Sequence, residues 1–420
     1  MKTQAVKKAG DTRPHGPVRP RHPALHTWKM MRYRLLALFA IIGPGFITAN
    51  VDNDPGGILT YSQAGAKYGY ALLWTLVPTT VALIVVQEMA ARMGAITGKG
   101  LSDLIREEFG LRMTFFTMIV LGVADFGNIA AEFAGLASGM GIFGVIKYIS
   151  VPLGAALVWT VIVRGSYKPV ERVLLVLSLI YFTYPISAFL AKPDWGLALK
   201  DTIIPQFNSD PGYLVMIVGL IGTTITPWMQ FYLQASIVEK GVSKRNYGMS
   251  RIDVIFGCVV TDIIAFFIVV ACAATIFHSK HPEITDPAQA ALALAPFAGK
   301  FASLLFAVGL VNASLMSAAI LPLATSYNIC EGLGFESGID KRFGEAKIFY
   351  GLYTALIVSQ VANGVLLPFV LVFMLKLINN ERIMGEYRNG FWGNLIAGGT
   401  SVIMVGLTIM LIWNSITIPG

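Results

Sequence analysis

Thr48-Ala-Asn-Val-Asp-Asn-Asp-Pro-Gly-Gly57 interrupts an otherwise apolar run that extends from Leu35 to about Tyr70. A membrane-spanning helix needs about 20 apolar residues, and here such a run is broken at its middle by acids, a proline and paired glycines. Pro55 has no N–H for the helix ladder, and Gly56 and Gly57 tolerate backbone angles that other residues avoid. The pattern predicts two half-helices joined by an unwound segment. Unwound backbone at membrane depth persists only where it lines a cavity or is buried in protein. A carboxylate there is costly and functional by default, and its natural partner is a cation.

Outward from this stretch, apolar runs recur along nearly the whole chain. Of 420 residues 55% are hydrophobic and only 13% charged, against about 25% charged in an average soluble protein. The composition therefore indicates an all-α polytopic membrane protein. Its net charge of +8 does not point to nucleic acid, because nine of the 32 Lys and Arg lie in residues 1–34 and most others fall in alternate loops. Residues 1–34 lack a signal-peptide pattern and read as a basic, disordered cytoplasmic tail. Cys258, Cys272 and Cys330 fall in or beside apolar segments and read as small buried residues, without disulfide or metal spacing.

Spans are expected at about 35–66 (broken), 70–91, 113–143, 150–164, 170–191, 211–238 (broken), 251–277, 301–330, 346–377 and 391–414. The loops near 92–112, 164–172, 239–251 and 341–347 hold 4, 3, 4 and 3 basic residues, while the opposite loops hold lysines only. This is a positive-inside pattern with a cytoplasmic N-terminus in a cell (plasma or inner) membrane. The loop carrying Lys376, Arg382 and Arg388 also reads as cytoplasmic. Two spans between cytoplasmic loops need about 40 residues, more than 346–377 offers. The parity favours a missing piece near Val358–Ser359, hence about 11 spans with ten visible.

The sixth span repeats the anomaly of the first: Gly219-Leu-Ile-Gly-Thr-Thr-Ile-Thr-Pro-Trp-Met-Gln230 places Pro227 beside Thr223, Thr224 and Thr226. Matching interruptions in spans one and six suggest two five-span halves of inverted topology, about 35–191 and 211–377, with an extra span at about 391–414. In that transporter design the site lies at the midplane between repeats.

Asp54 leads the candidate site residues. It can offer a carboxylate, with the Val51 carbonyl as a further oxygen, or serve only as a helix cap. Asp52 belongs to the site or to its rim. Thr223 and Thr226 share a face and offer hydroxyls and freed carbonyls, unless they bond back to their own helix; Gln230 follows a turn later. In span three Asp125, Asn128 and Glu132 form one polar stripe, either an ion or proton path or a structural network. Asp262 in span seven is another intramembrane acid, and Gln360 stands where it could close over an ion. His278 and His281 read as hydrated loop residues. No nucleophile–base pair, phosphate loop or closed metal-ligand set indicates an enzyme or a resident cofactor.

At the two broken spans the sequence resembles the NRAMP family of divalent-metal transporters. Gly43-Pro-Gly-Phe46, Asp54-Pro-Gly-Gly57, Gln63-Ala-Gly-Ala-Lys-Tyr-Gly69, Ala131-Glu-Phe133 and Ser359-Gln-Val361 carry the resemblance. The departures are informative. Gly57 stands where the family has Asn, and Thr226-Pro227-Trp228 replaces its Met-Pro-His. Leu233 or Gln234 takes the place of a second histidine, Ile129 that of an acid, and Asp262 that of an asparagine. A thioether is a soft ligand, whereas Thr226 offers only hard oxygen. Gly57 deletes a ligand and enlarges the site, which suits a partly hydrated Mg2+. Loss of the histidines and the acid removes proton carriers. The resemblance therefore implies the LeuT-like five-plus-five inverted-repeat fold and points to the family's magnesium-transporting branch: a carrier of Mg2+, with Mn2+ as a second cargo and little proton coupling, its oligomeric state open and a monomer compatible. A proton-coupled Mn2+/Fe2+ importer using Glu132, and a cation channel or metal sensor, are the alternatives.

Overall fold

The structure is a computed structural model that describes residues 43–208, 210–277 and 284–359. The described part is helical, and no strand occurs in it. The first span is broken as expected: α1 (Pro44–Val51) and α2 (Pro55–Tyr68) flank Asp52, Asn53 and Asp54. There follow α3 (Leu76–Thr97), α4 (Leu101–Ile142), α5 (Lys147–Arg164), α6 (Tyr167–Ser178) and α7 (Thr183–Leu190), the last two joined by a 3-10 turn. After α8 (Trp195–Ile203), the sixth span splits into α9 (Pro211–Thr224) and α10 (Pro227–Glu239). Then come α11 (Tyr247–Thr275), α12 (Pro287–Ala298), α13 (Lys300–Leu333) and α14 (Lys347–Ser359).

Seven segments among the described residues are long and apolar enough to cross a bilayer. The first span is not among them because its break leaves pieces of 8 and 14 residues. On α4 the side chains of Phe116, Ile119 and Val123 stand more than half exposed, a face suited to lipid.

Gly110, at φ 80° and ψ 173°, kinks α4, so that a short helix from Leu101 precedes a long one that begins close to the expected 113. Two features differ from the sequence reading: both long connections read as external contain a helix, α8 and α12. Each is started by an Asp side chain that accepts a backbone N–H, Asp194 from Leu197 and Asp286 from Ala288. These two caps were visible in the sequence, but their helices are too short to register as spans. Residues 1–34, Gln360, His278, His281, the end of the 346–377 segment and the 391–414 span lie outside the described residues.

One helix braces both halves of the broken first span. Small residues let backbones approach closely in membrane helices. A Cβ on Gly45 would stand 2.7–2.8 Å from Val254, and one on Gly257 2.6 Å from the Phe46 Cα, so α1 crosses α11 in direct contact. Farther along, a Cβ on Gly65 of α2 would meet the Val269 carbonyl at 2.3 Å. Between these contacts the chain must leave the helix, and that is where Asp52, Asn53 and Asp54 sit. On the other side a Cβ on Gly135 of α4 would meet the Pro55 ring at 2.5 Å, which seats the start of α2 against the third span.

Candidate functional site

The break in the first span is held open by hydrogen bonds rather than left slack. Asp54 is extended (φ −72°, ψ 172°), and its carboxylate accepts the Gly57 N–H at 2.6 Å, so it does cap α2. A carboxylate has several acceptor positions, and capping occupies only part of them. Asn53 donates to the Thr261 hydroxyl and carbonyl of α11 at 2.7 and 3.1 Å, and Thr261 in turn donates to the Ala49 carbonyl at 2.5 Å. Ser317 of α13 donates to the Val51 carbonyl at 3.3 Å.

The acids of the first and third spans converge. The Glu132 side chain, 1% exposed, lies close to both Asp54 and Ser317, and its Oε2 has no hydrogen-bond partner among the described residues. Asp52 lies within electrostatic reach of Asp54 and Asp262. Among the described residues, neither carboxylate oxygen of Asp52 nor of Asp262 has a hydrogen-bond partner.

The second break contributes hydroxyls. Thr224 accepts or donates toward the Tyr61 hydroxyl at 2.8 Å, which ties α9 to α2, and its own proton can go to the Leu220 carbonyl. Thr226 caps nothing, and its buried hydroxyl has no partner among the described residues. Gln230, with its amide turned to satisfy both groups, donates to the Thr226 and Pro227 carbonyls at 2.7 Å. Thr223 faces the first break: a Cβ on Gly57 would stand 2.8 Å from the Asp52 carbonyl, 3.4 Å from Asp54 Oδ1 and 3.5 Å from Thr223 Oγ1. Gly57 is therefore packed too closely against the Asp52 carbonyl to carry a side chain, and oxygens from both broken spans gather around it.

The polar stripe of the third span divides. Glu132 joins the acids at the break, whereas Asp125 accepts the Thr325 hydroxyl of α13 at 2.8 Å. Asn128 is half-buried. No group of three or more His, Cys, Asp or Glu side chains converges to hold a metal among the described residues. An ion at this site would be met by one or two carboxylates together with hydroxyl, carbonyl and water oxygens. That donor set suits hard cations.

Sequence reasoning missed four residues that shape the site: Asn53, Thr261, Ser317 and Asp253. Asp253 of α11 accepts the N–H groups of Gly43 and Gly45 at 2.8 Å and of Phe46 at 3.2 Å. It thus caps the N-terminus of α1 from another helix, where Gly43 has no side chain to do so. An acid inside the apolar 251–277 run was the available signal.

Comparison with known proteins agrees with this arrangement. The family description "Natural resistance-associated macrophage protein-like", Nramp, matches residues 45–414. The chain belongs to the Nramp family. A relative from Verminephrobacter eiseniae, named divalent metal cation transporter MntH, is 26% identical, with 91% of each chain covered. The protein of the same name from Erwinia tasmaniensis is 32% identical over 68% of this chain and 71% of its own. Among solved structures, a manganese transporter of Eremococcus coleocola matches with a TM-score of 0.63 at 21% identity, covering 95% of this chain and 89% of that one. The fold is that of Nramp transporters, the LeuT-like arrangement that the resemblance implied.

Proposed function

We propose that this Nramp protein is a divalent-cation carrier working by alternating access, with partly hydrated Mg2+ as its main cargo and Mn2+ as a second. The coarser part, divalent-metal transport in a cell membrane, is supported by relatives that carry that name across nine-tenths of their length. The finer part rests on one observation: oxygens from both broken spans, the Asp52 carbonyl, Asp54 and Thr223, gather around Gly57. Mg2+ binds oxygen at short range and keeps several waters, so a donor set made of oxygens suits it. Soft metals gain from sulfur, and Thr226 brings only a hydroxyl.

In this reading Asp54 holds the ion or its water shell. Capping by the Gly57 N–H fixes the carboxylate orientation without using all its lone pairs. Thr226, Thr223 and the Val51 carbonyl supply further oxygens, and Gln360 closes over the ion. The inside-negative potential drives entry, at about 2.3 kcal/mol per charge per 100 mV for each of the ion's charges. Spans one and six rock against the other bundle.

A second reading, proton-coupled Mn2+ import, is favoured by the contact between Glu132 and Asp54 and by the manganese transporter among the structural relatives. Uptake into proteoliposomes under an imposed potential, with a pH dye inside, separates the two. Saturable Mg2+ uptake without acidification supports the magnesium carrier. Mn2+ entry with acidification and no Mg2+ uptake supports the second reading. Linear uptake identifies a channel, and absence of any flux a sensor.

A further inference from the structure

We propose that Asp52 and Asp262 form a second cation site, adjacent to Asp54, that takes a hard divalent ion with part of its water shell. This rests on the carrier reading above and adds to it a resting place distinct from the Asp54 ligand set.

The acids are neighbours across a helix contact. Asp52 is the C-cap of α1, and Asp262 follows Thr261, the residue that clamps Asn53 and the Ala49 carbonyl. Those bonds hold the two carboxylates at one level of the α1–α11 contact, within electrostatic reach of each other. They are 2% and 5% exposed. The nearest neutral groups do not serve them. The Thr80 hydroxyl approaches Asp262, but its proton goes to the Leu76 carbonyl at 2.7 Å. The Tyr61 hydroxyl, which senses both acids, is engaged with Thr224. All four carboxylate oxygens are thus left without a donor.

A buried polar group normally finds a partner, and a buried charge is paired or binds an ion. Every ion pair among the described residues involves side chains outside this region, Glu88, Asp103, Glu107, Glu171 and Glu336 being the acids. With no cationic side chain among the described residues committed to Asp52 or Asp262, a mobile cation is a partner of matching charge and hardness. Two carboxylates with hydroxyls and water nearby form an oxygen site of the sort Mg2+ or Mn2+ takes.

The test counts Mn2+ bound to the purified full-length protein, from the electron paramagnetic resonance signal of the free ion. The expected result is two ions per chain, falling to one in Asp54→Ala and to one in the double variant Asp52→Asn/Asp262→Asn. Asp262→Asn alone, the milder change, is expected to weaken one of the two sites more than tenfold. It provides the measurement if the double variant does not elute as a single species. One ion per chain in wild type, lost in Asp54→Ala and unchanged in both Asn variants, would overturn the inference and leave the carrier reading standing. Two ions that Asp54→Ala does not reduce, one of which the double variant removes, would support this site and instead remove Asp54 from the proposed ligand set.

Discussion

The acids at the centre of the broken spans and four of the acids toward the loops read as cytoplasmic are treated in opposite ways, Glu331 near those loops being an exception with one unpartnered oxygen. Near those loops, Glu171 pairs with Lys240 at 2.7 Å, and Glu88 takes Arg92 and the Tyr247 hydroxyl. Glu239 accepts the Tyr327 hydroxyl and the Asp340 N–H, and Asp253 accepts three backbone N–H groups of the first span. At the centre, Asp52 and Asp262 have no hydrogen-bond partner among the described residues, and Asp54 has the Gly57 N–H with another acid, Glu132, close by. Buried polar groups are satisfied where their role is structural. Leaving carboxylates unmatched costs stability, which is the arrangement that the proposed cation sites require. The difference teaches that acids of similar burial are satisfied by the fold in one region and left unmatched by it in the other.

The largest expected effect attacks the central half of that contrast. Asp54→Ala should lower divalent-cation uptake in proteoliposomes by more than the roughly 10- to 100-fold that an orienting residue costs. Uptake within twofold of wild type would remove Asp54 from the site. Next comes the peripheral half. Asp253→Ala leaves the N–H groups of Gly43, Gly45 and Phe46 without their acceptor, each a group whose burial unpaired costs about 1–3 kcal/mol. A clear drop in the unfolding midpoint is expected, and an unchanged midpoint would show that α1 is held by helix contact alone.

A third change tests whether the third-span stripe is truly divided. Thr325→Val removes the donor to Asp125 and should cost about 1.5–3 kcal/mol of stability, while leaving the substrate concentration for half-maximal uptake unaltered. A shift in that concentration would return Asp125 to the ion path. The smallest effect is expected at the surface. Lys99 and Glu107 pair at 2.6 Å, but their side chains are 46% and 43% exposed. Lys99→Ala should therefore change the midpoint by an amount corresponding to less than about 1 kcal/mol, and a larger loss would mean that the outer pairs bear weight.

Much of this was legible in the chain itself. Pro55 with Gly56 and Gly57, and Pro227 among threonines, announced two breaks at matching positions, because proline together with glycines or hydroxyl residues weakens the helix locally, whereas Pro152 and Pro322, each between two apolar residues, leave their helices continuous. The apolar runs and the sidedness of the basic residues marked a polytopic membrane protein for the same reason: bilayer transfer is a property of each segment. Asp54, Glu132 and Thr223 could be nominated because an acid or a cluster of hydroxyls inside such a segment is conspicuous.

What the sequence could not decide is which helix faces which. Asp125 and Glu132 stand seven residues apart on one stripe, yet Asp125 meets Thr325 and Glu132 meets Asp54 and Ser317. Helical periodicity places residues on a face but does not name the partner opposite. Asp253 became a cap for α1, and Thr261 a clamp on Asn53, only because Gly45 and Gly257 let α1 and α11 touch. The short α8 and α12 were likewise hidden in connections that hydropathy treats as loops. The sequence by itself determined where the helices break and that a membrane surrounds them. The tertiary structure decided which acids are satisfied and which are left for an ion, because that depends on contacts between residues some two hundred positions apart.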